Sequence, residues 1–230
     1  MVLKNFSEMQ CNTNKSTFDH YWQLLANPIL VNPTEKTSTA LKTLDSLLNW
    51  ENVFGNDHSV EIEVGSGKGK FLKESAQRNP KINYVGIERE SKYFKRACER
   101  IAKYDITTAR VVYCDATYFL HKYVADQSVN AFHIYFPDPW PKKRHRKRRI
   151  FNNSIWISEL VRTLNNKSGK IYIATDYKAY FCEIQELFDC HPNFEYFPLK
   201  STETNYNQTS FEIKYRKQRR PIYRAVYIKS

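Results

Sequence analysis

The stretch Val60-Glu61-Ile62-Glu63-Val64-Gly65-Ser66-Gly67-Lys68-Gly69 decides the fold class of this 230-residue chain. Residues 60–64 predict a short strand, and a helix is predicted to begin near Lys70. The loop between them holds half of the six glycines in the chain, at Gly65, Gly67 and Gly69. Glycine adopts positive φ without steric cost and lets the backbone approach a ligand closely. The stretch therefore predicts a strand–loop–helix unit with a ligand beside its loop.

The same alternation of strands and helices continues along the chain. Further strands are predicted at 82–87, 110–114, 131–136 and 170–175, and helices at 90–104, 152–164 and 177–188. Such alternation, with nearly continuous apolar strands, is typical of a parallel sheet covered by helices on both faces. Two final strands, 194–199 and 221–228, predict an antiparallel pair at one edge. We therefore expect a doubly wound, mostly parallel α/β sheet of about seven strands.

The N-terminal segment differs in composition from the rest. Residues 1–36 are polar and rich in Asn, Thr and Ser, which predicts a weakly structured arm. Leucines at helical spacing then predict a helix from about Ser38 to Trp50. We therefore divide the chain into an arm, residues 1–36, and a single domain, residues 37–230.

The net charge of +12 comes from two basic runs. Lys142–Arg149 reads KKRHRKRR and carries seven positive charges, and Lys214–Arg224 carries six. The rest of the chain holds 23 basic and 24 acidic residues. An isolated basic run can be merely a solvated face. Two dense runs that contain no acid favour binding of a polyanion such as a nucleic acid.

Several classes of protein are excluded by what the sequence lacks. No apolar segment reaches the roughly 18 residues of a membrane span, and the N-terminus has no apolar signal region. The five cysteines are scattered without a C-x-x-C pair, which predicts reduced thiols and no metal site. Lys70 stands where the dinucleotide fingerprint needs a glycine, and no phosphate-loop motif is present. We therefore expect a cytoplasmic protein that binds no membrane, and the motifs argue against NAD and ATP.

One carboxylate stands at the end of each of the five strands predicted to be parallel. These acids are Glu63, Glu88, Asp115, Asp138 and Asp176. In an open parallel sheet, ligands bind beyond the carboxyl ends of the strands. Any one of these acids could simply cap the following helix. Five together indicate a site for a ligand with hydroxyl groups and positive charge rather than for a phosphate.

The segment Glu63–Gly69 resembles the first motif of Rossmann-like methyltransferases that use S-adenosylmethionine. That cofactor brings a sulfonium cation, an amino acid and a ribose diol, which suits the carboxylates. The resemblance implies that Glu63 and the glycine loop contact the cofactor, with the loop passing its methionine part. It also implies that Glu88 holds the ribose hydroxyls and that Asp115 lies near the adenine.

Three further segments resemble bacterial single-subunit tRNA (guanine-N7)-methyltransferases. They are Phe136–His145 (FPDPWPKKRH), Ala174–Asp176 (ATD) and Thr209–Glu212 (TSFE), and the resemblance runs from about residue 50 to the C-terminus. It implies that Asp138 is the catalytic residue and a further cofactor contact. The implied substrate contacts are Lys142, Asp176, Thr209, Ser210, Phe211 and Glu212. The implied tRNA contacts are Arg144, His145, Arg146, Lys147, Arg148 and Arg149. Ser210 departs from the family's pattern, in which lysine is common at this place.

The implied activity is methylation of N7 of a tRNA guanine, at the variable-loop guanosine of tRNA position 46. N7 carries a lone pair and no proton, so the enzyme's task is alignment and electrostatic stabilisation. Two other interpretations stay open: an RNA-binding protein with an inactive core, and a methyltransferase for an adenine amino group or a protein side chain. We expect tRNA as the partner, no obligate protein partner, and a monomer or homodimer.

Overall fold

The structure is a computed structural model that describes residues 29–32, 34, 41–43, 46–166, 168–198 and 209–230. Its strands are β1 (Ile29–Val31), β2 (Leu41–Thr43), β3 (Ser59–Val64), β4 (Ile82–Glu88), β5 (Ala109–Tyr113), β6 (Ala131–Tyr135), β7 (Lys170–Thr175), β8 (Phe194–Tyr196) and β9 (Tyr223–Lys229). Its α-helices are α1 (Trp50–Phe54), α2 (Lys70–Arg78), α3 (Ser91–Lys103), α4 (Ala116–Tyr123), α5 (Ser154–Thr163), α6 (Lys178–Asp189) and α7 (Ser210–Lys217). Within these ranges no helix combines the length and apolar character needed to cross a membrane.

All strands of the described part join one sheet in the order β2-β1-β5-β4-β3-β6-β7-β9-β8. The five central strands, from β5 to β7 in this order, are parallel. The outer pairs β1–β2 and β8–β9 are antiparallel, as are their joins to the central strands. Strand order reverses between β3 and β6, so the ligand crevice of such a sheet lies at the carboxyl ends of these two strands.

Helices cover both faces of the sheet, as the alternating pattern predicts. On one face, Trp156 and Leu160 of α5 and Ile184 of α6 pack in the larger core cluster, which also holds inward residues of β3 and β6. On the other face, α2 and α3 pack on β4 and β5 through a second cluster that includes Leu72 and Phe94. The doubly wound, mostly parallel architecture with an antiparallel C-terminal edge pair is therefore confirmed.

The predicted helix from Ser38 to Trp50 is wrong where the structure describes it. Leu41–Thr43 forms β2, antiparallel to β1, and the helix begins only at Trp50. β1 itself comes from the predicted arm and pairs with β5, which would otherwise be an edge strand of the parallel sheet. Strand pairing satisfies these backbone groups and overrides the helical spacing of the leucines. The first 28 residues of the predicted arm lie outside the described residues.

Two helices were not predicted from the sequence, and both begin at a capping side chain. Asp115 caps α4 by accepting a hydrogen bond from the backbone N–H of Tyr118 at 3.1 Å. Thr209 caps α7 by accepting from the N–H of Glu212, also at 3.1 Å. Thr209 with Glu212 three residues later is the capping-box pattern, a signal that could have identified α7.

Candidate active site

The glycine loop after β3 has a backbone that only glycine adopts without strain. Gly65 and Gly67 have φ of 75° and 54°. The N–H groups of Gly65 and Ser66 donate to the carbonyl of Ile87 at 2.9 and 3.0 Å, which ties the loop to β4. A Cβ placed on Gly65 would meet no heavy atom of the described residues within 4 Å. The loop is therefore fixed at its base and has open space beside its glycine backbone.

Glu88 at the end of β4 ties the tip of this loop to the sheet. Its Oε2 accepts a hydrogen bond from the N–H of Gly67 at 2.8 Å, and its Oε1 accepts from the N–H of Glu90 at 2.8 Å. Burial raises the pKa of this carboxyl, while the donating backbone N–H groups act in the opposite direction. Each carboxylate oxygen can accept more than one hydrogen bond, so capacity for ligand hydroxyls remains.

Glu63 in β3 is a buried carboxyl that lacks a full set of partners. The residue is 4% exposed, and its Oε2 has no hydrogen-bond partner in the described part of the chain. Burial first, and then the charge of Glu88, raise the pKa of Glu63 well above its usual range. A buried polar atom without a hydrogen-bond partner destabilises the folded protein unless a ligand supplies that partner. Beside an open glycine loop, Glu63 suits a ligand that donates hydrogen bonds or carries positive charge.

Asp115 has a different local role from these two acids. It is exposed on the surface and uses Oδ1 to cap α4. Within the chain, Asp115 therefore acts as a helix cap, which is the alternative that the sequence left open for any single strand-end acid. Its place just after β5, the strand next to β4, keeps it at the same edge of the sheet as Glu88.

Asp138 stands in a strained proline-rich turn after β6. Phe136 and Trp140 on either side of it have φ of 54° and 37°, in the left-handed region that bulky residues avoid. Such strain persists only where the surrounding structure holds it, and it is concentrated at functional sites. The Phe136 N–H donates to the Ala174 carbonyl at 2.7 Å, which anchors the turn to β7. Asp138 is exposed at this turn.

Arg149 also holds the turn, and this corrects its predicted place among the tRNA contacts. Its side chain is 0% exposed. Its Nε donates to the Pro139 carbonyl at 2.8 Å, and its Nη1 pairs with Glu183 of α6. The guanidinium also lies 4.5 Å from the centre of the Tyr180 ring. Arg149 thus holds the turn from inside the fold, and its side chain is buried from the surface at which a phosphate backbone would bind.

The remainder of the first basic run is on the surface and continues directly from the turn. Residues 143–148 form a 3₁₀ segment, in which His145 is half-buried and the others are exposed, as is Lys142 before it. The Arg148 guanidinium lies 5.1 Å from the Trp140 ring centre, and the His145 ring meets that ring edge-on at 5.9 Å. The structure therefore joins Asp138, Trp140 and a basic surface at one end of β6.

Asp176, after β7, lies beside helix α7. Its Oδ2 accepts from Nη1 of Arg220 at 2.8 Å. Burial first, and then the charges of Asp176 and Asp138, raise the pKa of Tyr215 of α7, while the charge of Arg220 acts in the opposite direction. The Tyr215 ring packs on Phe136 of the turn with centroids 5.4 Å apart. The turn, Asp176 and α7 thus form one group.

The predicted substrate segment Thr209–Glu212 is the first turn of α7. Ser210 and Phe211 are exposed, and the Phe211 ring lies 6.4 Å from that of Phe136. Glu212 is buried and paired with Arg216 at 2.8 Å and with Arg224. Burial acts to raise the pKa of Glu212, but the hydrogen bonds and charges of these two arginines outweigh it, and the pKa is lowered. Within the chain, Thr209 and Glu212 hold the helix, while Ser210 and Phe211 face outward.

Sequence reasoning did not single out Tyr215 or Arg220, and it gave Arg149 a surface role. Tyr215 and Arg220 lay inside a run that was interpreted only as basic charge. Their proximity to Asp176 arises from a contact between residues 44 positions apart in the chain. No local motif reports such a contact.

Comparisons with known proteins show the family and the fold to which the chain is similar. The family described as a putative methyltransferase matches residues 57–225. A tRNA (guanine-N(7)-)-methyltransferase of Rhodopirellula baltica is 36% identical over 214 residues, which is 86% of this chain and 77% of that protein. One of Streptococcus mutans is also 36% identical, over 58% of this chain and 62% of the relative. A solved antibiotic-related methyltransferase is similar in fold, with a TM-score of 0.56 at 16% identity, covering 80% of this chain and 96% of that one.

The fold and the glycine loop with its buried acids define a Rossmann-like methyltransferase. Within this class, the chain belongs to the family of the bacterial tRNA (guanine-N(7)-)-methyltransferases. The family predicted from the sequence is confirmed.

Proposed function

We propose that this protein transfers the methyl group of S-adenosylmethionine to N7 of a guanine in tRNA, and that the target is the variable-loop guanosine at position 46. The observation that carries the proposal is the layout of one edge of the sheet. Glu63 lies in β3, which the open glycine loop follows, and Glu88 ends the adjacent β4; the Asp138 turn with its basic surface follows β6, on the other side of β3. A tRNA substrate implies a cytoplasmic enzyme.

The residues of the first group fit the cofactor. Bound S-adenosylmethionine supplies an electrophilic methyl group on a positively charged sulfur. The open side of the glycine loop leaves room for its methionine part, and Glu63 has a buried oxygen that needs a partner. Glu88 can accept hydrogen bonds from ribose hydroxyls while it holds the Gly67 N–H. We assign Asp115 to the adenine end because it lies after the next strand, β5.

The second group suits a guanine. N7 attacks with its own lone pair, so no residue has to remove a proton first. Asp138 and Asp176 can accept hydrogen bonds from N1–H and the 2-amino group, and their negative charge opposes the positive charge that develops on the methylated base. Phe136, Phe211 and Tyr215 offer aromatic surface for a base that has left its stack.

The exposed basic residues suit the tRNA backbone. Lys142 and the residues from Arg144 to Arg148 follow Asp138 in the chain and lie on the surface, and Lys214 and Lys217 are exposed on α7. Charges that neutralise phosphates release counterions, so tRNA binding should weaken with salt at a log–log slope of about −0.7 to −0.9 per contact.

The proposal is tested with labelled S-adenosylmethionine and unmodified tRNA transcript. We expect label in tRNA and, after borohydride reduction, aniline-induced cleavage at position 46, because N7 methylation makes the base reducible and the reduced base is readily lost. A transcript in which this guanosine is replaced by adenosine is the matched control and should take up no label. Label on adenine, on protein or on no acceptor would overturn the proposal.

A further inference from the structure

The ion pair between Asp176 and Arg220 occupies a carboxylate that the proposed function needs. Nη1 of Arg220 lies 2.8 Å from Oδ2 of Asp176, and the Asp176 side chain is 15% exposed. Arg220 lies between α7 and β9, and its N–H donates to the Tyr215 carbonyl at 3.0 Å. Its guanidinium is 4.9 Å from the centre of the Tyr215 ring. Arg220 therefore lies on both Asp176 and the aromatic surface beside it.

This ion pair is of a kind that a ligand can displace. The Arg220 side chain is 50% exposed, so solvent screens the attraction, and exposed ion pairs contribute little to stability. The buried Glu212, by contrast, is held by two arginines at once. One of those two, Arg224, has a side chain that is 19% exposed, whereas the arginine that pairs with Asp176 is half in solvent. Arg220 also belongs to the second basic run, whose exposed members include Lys217 and Arg219.

We propose that Arg220 is a specificity-determining residue that exchanges partners when tRNA binds. In the free protein it pairs with Asp176. When guanine presents N1–H and its 2-amino group, these donors take the carboxylate, and Arg220 turns to a tRNA phosphate. Adenine has an acceptor at N1 and no 2-amino group, so it does not replace the guanidinium. This inference rests on the proposed function and names a further residue of the same site.

The chemistry of the exchange is balanced in hydrogen bonds and charge. Asp176 loses an arginine donor and gains base donors, while Arg220 loses a carboxylate and gains a phosphate oxygen, which its planar guanidinium binds well. Tyr215 is freed on the side that Arg220 covers and stays packed against Phe136. Phosphate binding and base recognition are thereby coupled through one residue.

The exchange is tested by a double-mutant cycle on tRNA binding. Affinity is measured by fluorescence anisotropy for wild type, Arg220→Gln, Asp176→Asn and the double variant, with S-adenosylhomocysteine present to prevent turnover. In wild type, Arg220 must leave Asp176 before it binds phosphate, whereas with Asp176→Asn it is already released. We therefore expect Arg220→Gln to cost about two- to five-fold more affinity in the Asp176→Asn background than in wild type.

Lys217→Gln is the matched control, because it removes one exposed charge from α7. Its cost should be the same in both backgrounds. Arg220→Gln should also reduce the salt slope by about one phosphate contact. In turnover assays it should raise KM while kcat stays within about two-fold of wild type.

Three results would overturn the exchange. An equal cost of Arg220→Gln in both backgrounds means that Arg220 does not leave Asp176 to bind tRNA. If Arg220→Gln costs no affinity in the Asp176→Asn background, Arg220 contributes to tRNA binding only through its pair with Asp176. A ten-fold fall in kcat with an unchanged salt slope means that Arg220 only holds Asp176 in place. Failure of wild type to methylate guanine would instead reject the proposed function, and the binding cycle would still decide the exchange.

Discussion

The Glu88 carboxylate and the Gly67 N–H lie 2.8 Å apart and join the end of β4 to the tip of the glycine loop. The bond crosses from one strand-end loop to the next, since the two residues are 21 positions apart in the chain. Glu88 also accepts from the Glu90 N–H at the start of α3. One buried acid thereby shapes the glycine loop and keeps acceptor capacity for a ligand.

Substitution Glu88→Gln should weaken cofactor binding. The amide has one acceptor oxygen, so one of the two backbone N–H groups loses its partner, and the ribose hydroxyls meet a donor. A lost hydrogen bond to a charged group costs about 1.5–3 kcal/mol, so we expect a ten- to hundred-fold higher Kd for S-adenosylhomocysteine by calorimetry. Glu90→Gln changes an exposed neighbour and should leave the Kd within two-fold. Equal effects of the two variants would refute this role of Glu88.

Substitution Glu63→Gln should stabilise the ligand-free protein at neutral and alkaline pH. The pKa of Glu63 is raised in the folded state by burial and by Glu88, so the folded state holds its proton to higher pH than the unfolded state does. Stability therefore falls as pH rises from the ordinary glutamate value of 4.5 through the raised pKa. The variant lacks this loss and should be about 1–3 kcal/mol more stable at pH 8.

Chemical denaturation of wild type and Glu63→Gln across pH 4 to 9 measures this difference. The two curves should converge near pH 4, where both forms of residue 63 are neutral. The variant should also bind S-adenosylhomocysteine more weakly, since the ligand loses a carboxylate partner. A stability difference that does not change with pH would contradict the burial argument.

Substitution of Arg149 should affect stability, whereas substitution of its neighbour Arg148 should affect tRNA binding. Arg149→Ala leaves the Pro139 carbonyl without its donor and opens space in a fully buried site, so we expect a loss of about 2–3 kcal/mol in unfolding free energy. Arg148→Ala removes an exposed charge over Trp140 and should change stability by less than about 1 kcal/mol. Its tRNA affinity should fall and its salt slope shrink. Thermal unfolding and anisotropy distinguish the two, and a stable Arg149→Ala that binds tRNA poorly would restore Arg149 to the tRNA contacts.

Asp138→Asn should slow the chemical step while the fold stays intact. Asp138 is exposed, so the unfolding free energy should change by less than about 0.5 kcal/mol. Without its negative charge, residue 138 no longer stabilises the positive charge that develops on guanine. The single-turnover rate should therefore fall by about 100-fold or more, with tRNA affinity nearly unchanged. Asp57 is exposed just before β3, at the end of that strand opposite to the glycine loop, so Asp57→Asn should leave the rate as in wild type. A wild-type rate in Asp138→Asn would remove Asp138 from the chemistry.

Much of the fold follows from local pattern. Residues 170–175 form a strand with the bounds that the sequence predicts, and α3 differs from its prediction by one residue at each end. The short α4 and α7 were missed because their capping signals, Asp115 and Thr209, were interpreted as strand-end or substrate residues. Residues 41–43 were predicted as helix because the spacing of the leucines does not show that β2 pairs with β1.

The sequence by itself determined the βα order, the glycine loop and the acids that end the parallel strands, because each depends on residues close together in the chain. Only the tertiary structure decided which charged residues are free in solvent and which are paired with other side chains of the chain. Arg149 pairs with Glu183, 34 residues away, and Arg220 pairs with Asp176, 44 residues away. A run of basic residues shows the total charge of a segment. Which of these residues are buried or ion-paired depends on the distant segments that the fold brings beside them. For this reason the two basic runs are divided between residues exposed to solvent and residues that make contacts inside the fold.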